Sequence, residues 1–315
     1  MLFIDFLIFI AGCTGLIMSS HFVVKSIIKV EQYYHLREFL VGFLLIGILT
    51  SLPEISVGIL SALGGISSLS FGNVLGAAVV DIALVMGLVA FVGKKIKFES
   101  QLEKSTLFII AFLVVLPLIL FLDQELSRTD GIILVAAFAL YVVRLFTVRK
   151  KFKTAKKKSF VKIRLYRNLA IFVLSLILLV VSARVVVHVA TEIATILAFP
   201  LVLIGLLIVS PGTSLPELSF ELGCVMRGHS SVALGDLLGS LAFNSTLVLG
   251  LVSIISPIQA PFTSFAISSV FIVVSLVTFL VFAETGKVMT RREGSVLILL
   301  YVLFVVASIL MRHVA

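Results

Sequence analysis

The sequence predicts an all-α integral membrane protein of ten transmembrane helices, arranged as two inverted five-helix repeats. Three observations lead there. Long stretches of the chain hold almost nothing that could face water. The basic residues crowd into connections that fall on one side. Two segments recur at a constant separation of 163 residues.

The apolar stretches come first. Sixty percent of the 315 residues are hydrophobic, 13% are charged, and the mean hydropathy is +1.26. A soluble domain carries about 25% charged residues. Runs such as Leu107–Leu122 and Val270–Phe282 are almost free of polar groups. A spanning helix needs roughly 20 largely apolar residues. Such segments lie near 3–24, 38–61, 70–92, 105–122, 130–148, 168–190, 198–225, 233–256, 262–283 and 294–311. The first has no basic leader or small-residue cleavage site and is expected to stay as a helix.

The net charge of +9 raises the question of a nucleic-acid partner. The position of the charge answers against one. Ten of the 25 Lys and Arg lie between Arg149 and Arg167, with no acid among them. Cytoplasmic loops collect Lys and Arg, so this linker is expected inside. Alternating sides from it, the inner connections also receive Lys25, Lys29, Arg37, Lys94, Lys95, Lys97, Lys104, Arg227, Lys287, Arg291 and Arg292, which makes 21 of 25. Arg144 sits near the inner end of its helix and can snorkel; only Arg128, Arg184 and Arg312 fall outside. The basic balance therefore reads as topology. It implies a multi-pass protein of the cell membrane with the linker cytoplasmic and both termini outside. Cys13 and Cys224 lie in spanning segments, offer no disulfide framework or metal spacing, and are expected to pack.

The repeat sets the organisation. LTSLPEIS at 49–56 recurs as GTSLPELS at 212–219, and GNVLGAAVVDIALVMG at 72–87 as GDLLGSLAFNSTLVLG at 235–250. The first repeat is assigned to residues 1–148, the basic linker to 149–167 and the second repeat to 168–315. Five helices per half is an odd number, so the second half enters the membrane from the opposite face. Transporters of this type hold their substrate at the midplane, between repeats, on interrupted helices. A scaffold duplicated for stability does not explain why the matched residues are polar and within the membrane.

Glu54 and Glu217 carry that argument. An intramembrane carboxylate costs a few kcal/mol or more unless partnered, and no Lys or Arg lies near either position in the sequence. Two carboxylates facing one another repel, and a divalent cation removes the repulsion. Calcium suits the pair, because it accepts six to eight oxygen ligands in flexible geometry. Pro53 and Pro216 each remove a helical hydrogen bond, so carbonyls near Gly47, Thr50, Ser210 and Thr213 are expected to be available as hard oxygen ligands. The hydroxyls of Thr50, Ser51, Thr213 and Ser214 add to them. Gly72, Gly76, Gly235 and Gly239 are spaced for close helix packing. Asn73 and Asp236 read equally well as helix caps. Asp81 and its counterpart Asn244 lie two turns deeper, among apolar neighbours, and are expected in the site. So is Ser240, whose counterpart is Ala77. Glu221 is expected to pair with Arg227, and Asp5, His188 and Glu192 to meet solvent. Three carboxylates against one divalent ion leave a charge over; Asp81, matched by the neutral Asn244, is expected to carry a proton.

These motifs resemble the cation/calcium exchanger superfamily, particularly its prokaryotic sodium/calcium exchangers, and the resemblance covers the whole ten-helix plan. It implies calcium between Glu54 and Glu217 with the Thr50 and Thr213 carbonyls. It implies sodium at Ser51, Ser214, Ser240 and the Gly47 and Ser210 carbonyls, with Asp81 and Asn244 lining the middle. Two departures stand out. The Gly-Ser-Asn that the family carries after the second glycine reads Gly76-Ala77-Ala78 and Gly239-Ser240-Leu241 here, which removes one sodium ligand at Ala77. Leu49, rather than glycine, precedes the first TSLPE. The expected activity is secondary active antiport of calcium against sodium, by alternating access, in the lipid bilayer. A calcium/proton exchanger on the same scaffold is the alternative, and a passive cation channel a third reading. No enzyme chemistry and no cofactor beyond the transported ions are expected; the chain has no GxxxxGK[ST] segment for nucleotide hydrolysis.

Overall fold

The computed structural model describes residues 2–34, 46–93, 95–97, 104–148, 162–226, 228, 230–285 and 288–310. The protein is mostly helical, and eight of the described helices are long and apolar enough to cross a membrane. It is a multi-pass membrane protein. Large apolar side chains such as Phe3, Phe108, Leu140, Leu174 and Leu310 are exposed on its outer surface, where lipid is their natural solvent.

The chain opens with α1 (Leu2–Tyr34), then α2 (Ile46–Thr50) and α3 (Leu52–Leu63), which are separated by a break at Ser51. α4 (Ser67–Val79) runs through a wider π-helical stretch, 80–85, into α5 (Met86–Gly93). Strand β1 (Lys95–Lys97), α6 (Lys104–Leu120), β2 (Glu125–Leu126) and α7 (Arg128–Val148) complete this half.

The second half starts with α8 (Lys162–Leu197). Next come α9 (Leu201–Ile204), a π-helical stretch at 205–209, α10 (Ser210–Thr213), a break at Ser214, and α11 (Leu215–Met226). α12 (Ser230–Ala242) passes through a π-helical stretch, 243–248, into α13 (Leu249–Ile255). β3 (Ile258–Gln259), α14 (Phe262–Thr285), β4 (Val288–Thr290) and α15 (Arg291–Leu310) close the chain. Of the expected linker, 149–161 lie outside the described residues, while 162–167 form the first turns of α8. α1 and α8 are thus longer than the apolar runs alone suggested. They pack along one another, Gly12 against Val186 and Gly15 against Ser182, where the missing side chains let the two backbones approach.

The 163-residue offset survives into three dimensions. α3 and α11, α4 and α12, and the π-helical stretches 80–85 and 243–248 superpose in sequence at that offset, and so do the breaks at Ser51 and Ser214. The turns leading into α4 and α12 each use a glycine in the left-handed region, Gly65 (φ 71°) and Gly228 (φ 82°). Gly87 faces Gly294 where α5 crosses α15, and Gly131 faces Gly250 where α7 crosses α13. A Cβ on any of the four would meet its partner's carbonyl oxygen at 2.7–3.0 Å.

Two short antiparallel pairs modify the all-α expectation. β1 pairs with β4 (Lys95 opposite Thr290, Lys97 opposite Val288), and β2 with β3 (Glu125 opposite Gln259). Each joins one half of the chain to the other. Runs of two or three residues are too short to show a strand's alternation in sequence. Phe121 packs at a tilt against Phe71 and Phe265, with centroids 4.5 and 4.7 Å away.

Candidate functional site

The broken helices meet near the middle of the molecule. Thr50 ends α2 and Thr213 ends α10, Ser51 and Ser214 form the breaks that follow, and all four are buried. Glu54 and Glu217 sit in the first turns of α3 and α11, each directly after a proline, and are fully or almost fully buried. Neither carboxylate oxygen of Glu54 has a hydrogen-bond partner. Glu217 accepts a bond from the Ser51 hydroxyl through Oε1 (3.3 Å), while its Oε2 is unpartnered. The equivalent hydroxyl of Ser214 has no partner, so the symmetry of the sequence is not kept in the contacts.

The Gly47 and Ser210 carbonyls are not released in the way the prolines suggested. Gly47 O accepts the Ser51 amide and the Thr50 hydroxyl, both at 3.3 Å. Ser210 O accepts the Ser214 amide (3.0 Å) and the Thr213 hydroxyl (3.2 Å). The reason is one of register. A proline withdraws the N–H that would have reached four residues back, which is residue 49 or 212 rather than 47 or 210.

Asn73 and Asp236 are corrected from caps to core. α4 starts at Ser67 and α12 at Ser230, so each side chain lies on the seventh residue of its helix, fully buried. The Thr213 hydroxyl donates to Asn73 Oδ1 at 3.1 Å, and the Thr50 hydroxyl to Asp236 Oδ1 at 2.9 Å. These two bonds are symmetry equivalents, and each crosses between the repeats. The signal that could have found them was in the sequence: the pair is matched at the same 163-residue offset as the glutamates.

Asp81 and Asn244 stand in the two π-helical stretches, at 1% and 3% exposure. A π turn carries one extra residue, swings the following side chains to a new azimuth, and recurs at functional sites. Asp81 Oδ1 and both polar atoms of Asn244 lack partners. Ser240 is buried and donates to the Asp236 carbonyl (2.7 Å), within its own helix. Its counterpart Ala77 is equally buried and offers no oxygen there.

Glu221 was expected to pair with Arg227, which lies outside the described residues. Glu221 is fully buried, and neither of its oxygens has a hydrogen-bond partner. Glu54, Asp81, Glu217, Glu221 and Asp236 therefore form one electrostatically connected set of five carboxylates, rather than three. No Lys, Arg or His is buried among the described residues, so nothing basic balances the set. No three of the described acids, histidines or cysteines converge as a ready chelate. A cation held here must take hydroxyl, amide and carbonyl oxygens alongside one or two carboxylates.

Away from the site, His188 and Glu192 are exposed and 3.5 Å apart. Asp5, expected at the surface, is buried at 7%, and its helix turns Phe3 and Ile4 outward instead. Cys13 packs on Gly212 and Cys224 is half-buried; neither is in a disulfide.

A cavity of about 500 Å3 lies between the middle of α1 and the length of α11 and reaches Thr50, lined by Met18, His21, Pro216, Phe220 and Gly223 among others. Its symmetry counterpart, about 340 Å3, is lined only by Val181, Arg184, Val185 and His188 of α8 and does not reach Thr213.

Comparison with known proteins matches this architecture. The family model described as sodium/calcium exchanger protein matches the chain twice, over residues 4–147 and 167–310, again 163 residues apart. Sodium/calcium exchanger MaX1 of Methanosarcina acetivorans is 29% identical over 347 residues, covering 97% of this chain and 99% of that protein. Among solved structures, the sodium-calcium exchanger NCX_Mj shares the fold at a TM-score of 0.69 and 24% identity, over 97% of this chain and 99% of its own. The H+/Ca2+ exchanger CAX shares it at 0.78 and 17%, over 98% and 85%. With both halves matched by one model, the chain belongs to the sodium/calcium exchanger protein family.

Proposed function

We propose that this protein is a secondary active antiporter exchanging calcium for sodium, by alternating access at a midplane site between two inverted five-helix repeats. One observation carries the reading: Glu54 and Glu217 are buried with three of their four oxygens unpartnered and no buried base among the described residues. Such carboxylates are stable in a low-dielectric interior only when a cation or a proton accompanies them. Calcium is assigned to Glu54, Glu217 and the Thr50 and Thr213 carbonyls. Sodium is assigned to Ser51, Ser214, Ser240 and the Gly47 and Ser210 carbonyls, each of which keeps a lone pair free when the Thr50 and Thr213 hydroxyls donate to Asp236 and Asn73 instead. Asp81 and Asn244 line the middle. The cavity that reaches Thr50 supports alternating access, since an ion path needs such a space on one side of the site in one state.

The strand pairs support the inverted topology. β1 and β4 lie in connections assigned to the cytoplasm by their Lys and Arg, and β2 and β3 in connections assigned outside. An uninverted second half would put each pair on opposite faces. A reporter fused after Arg312 is expected outside the cell, and one inserted within 151–158 inside. Both on one side would remove the inversion and the midplane site with it.

The exchange is tested in proteoliposomes. Calcium uptake is expected when the vesicles hold sodium and the bath does not, and not without a counter-ion. Equal uptake from sodium-free vesicles under a proton gradient would select calcium/proton exchange; the missing hydroxyl at Ala77 is the observation that favours this second reading. Flux with no counter-ion would select a channel.

A further inference from the structure

The pseudo-twofold relates two corners of the polar interior, and they carry different charge. At one, α11 and α12 meet residues 80–85; at the other, α3 and α4 meet residues 243–248. The first corner holds Glu221, Asp236 and Asp81. Each has its counterpart at the second, 163 residues away: Gly58, Asn73 and Asn244. Three carboxylates thus face three neutral residues. The neutral corner is also closed, since even a Cβ on Gly58 would meet Ser70, Val248 and Val252 side-chain atoms at 3.1–3.2 Å.

The acidic corner is not explained by structure alone. Glu221 is fully buried with both oxygens unpartnered, Asp236 spends Oδ1 on Thr50 and leaves Oδ2 unpartnered, and Asp81 Oδ1 is unpartnered too. Burying a carboxylate with no hydrogen-bond donor costs far more than a fold recovers from it. Glu221 and Asp236 lie within electrostatic reach but are not hydrogen-bonded to each other. Two acids sharing a proton close to about 2.5–2.7 Å, whereas two that share a metal ion are held apart by it.

We propose that Glu221 and Asp236, beside Asp81, hold a sodium ion at a position separate from the Glu54–Glu217 pair and present in only one of the two corners. The proposal rests on the exchange reading for the identity of the ion. It adds an ion position that the internal repeat cannot supply twice.

The test is equilibrium binding of radioactive sodium to the purified full-length protein, with radioactive calcium binding measured in parallel. Glu221→Gln is expected to bind one sodium ion fewer per chain while keeping calcium affinity within a few-fold. Asp236→Asn is expected to lose the same ion, and the double variant to lose one rather than two, as residues sharing one ligand do. Glu221→Asp is expected to keep the ion at weakened affinity, which a folding defect would not allow. An unchanged sodium count in Glu221→Gln overturns the proposal, and so does loss of calcium binding together with sodium. Normal sodium counts in a wild-type protein that shows no sodium-driven calcium flux would sink the exchange reading instead and leave this position standing.

Discussion

Glu54→Gln and Glu217→Gln are each expected to stop calcium flux almost completely. An amide keeps the shape and one oxygen of the carboxylate but removes its charge. The remaining glutamate then faces a divalent ion alone, in an interior with no buried base among the described residues. Removing one member of a buried ion pair costs about 3–5 kcal/mol, which corresponds to roughly two to three and a half orders of magnitude in rate. The Glu54 variant has nothing to fall back on, because its carboxylate has no hydrogen bond to redistribute. Glu217→Gln also alters the Ser51 contact. Asp81→Asn provides the contrast. Its counterpart Asn244 is already neutral, and a protonated Asp81 is imitated by the amide, so flux is expected to survive within about tenfold, or about 1.4 kcal/mol. Calcium flux measured for all three variants over a range of pH decides the matter. If Asp81→Asn is as inactive as the glutamate variants, Asp81 works as an ionised ligand.

Gly72→Ala and Gly205→Ala are expected to deprive the protein of its stable fold. The two glycines face each other where α4 crosses α9 and the π-helical stretch that follows it. A Cβ on Gly72 would run into the Val202 carbonyl, and all three of its nearest atoms belong to the Val202 backbone. A Cβ on Gly205 would meet the Leu69 carbonyl oxygen, then Asn73 N at 2.7 Å and Gly72 C at 2.9 Å. Side chains can rotate aside, but backbone cannot, so the helices must separate. Overpacking costs about 1–3 kcal/mol where neighbours yield, and more where they do not. In a bilayer, close packing is itself the main attraction between helices. A loss of at least about 3 kcal/mol is expected on that basis, read as a lowered Tm in detergent and an aggregated profile on size exclusion. Gly223→Ala is the control: it meets nothing within 4 Å, and gains about 0.5–1 kcal/mol of helix propensity. Equal Tm values for Gly72→Ala and Gly223→Ala would sink the argument.

What could be read from the sequence followed from two kinds of signal. Apolar length and the position of Lys and Arg depend on the bilayer alone, so the helices at 105–122 or 262–283 emerged close to their observed bounds. The repeat singled out Thr50, Glu54, Thr213 and Glu217 because a chance motif does not recur at a fixed offset. What stayed hidden depended on packing. Whether Asn73 caps a helix or lies inside one turns on where the preceding turn ends, and Ser67 rather than Gly72 begins α4. The π-helical stretches around Asp81 and Asn244 have no composition of their own. Glu221 lacks an acidic counterpart, and its nearness to Arg227 in sequence points to an ion pair rather than to the site, although one turn from Glu217 its side chain lies along the same face.

The strand pairs also set a timetable for synthesis. β1 cannot find β4 until residue 290 is made, 195 residues after Lys95. At about 5–20 residues per second that interval is roughly 10–40 s. Glu54 waits almost as long for Glu217 to exist. Throughout that time the first half sits in the membrane with an unmatched acid and an open β1 edge. Neither half can therefore be finished first, and the last two helices made complete the fold of the earliest ones.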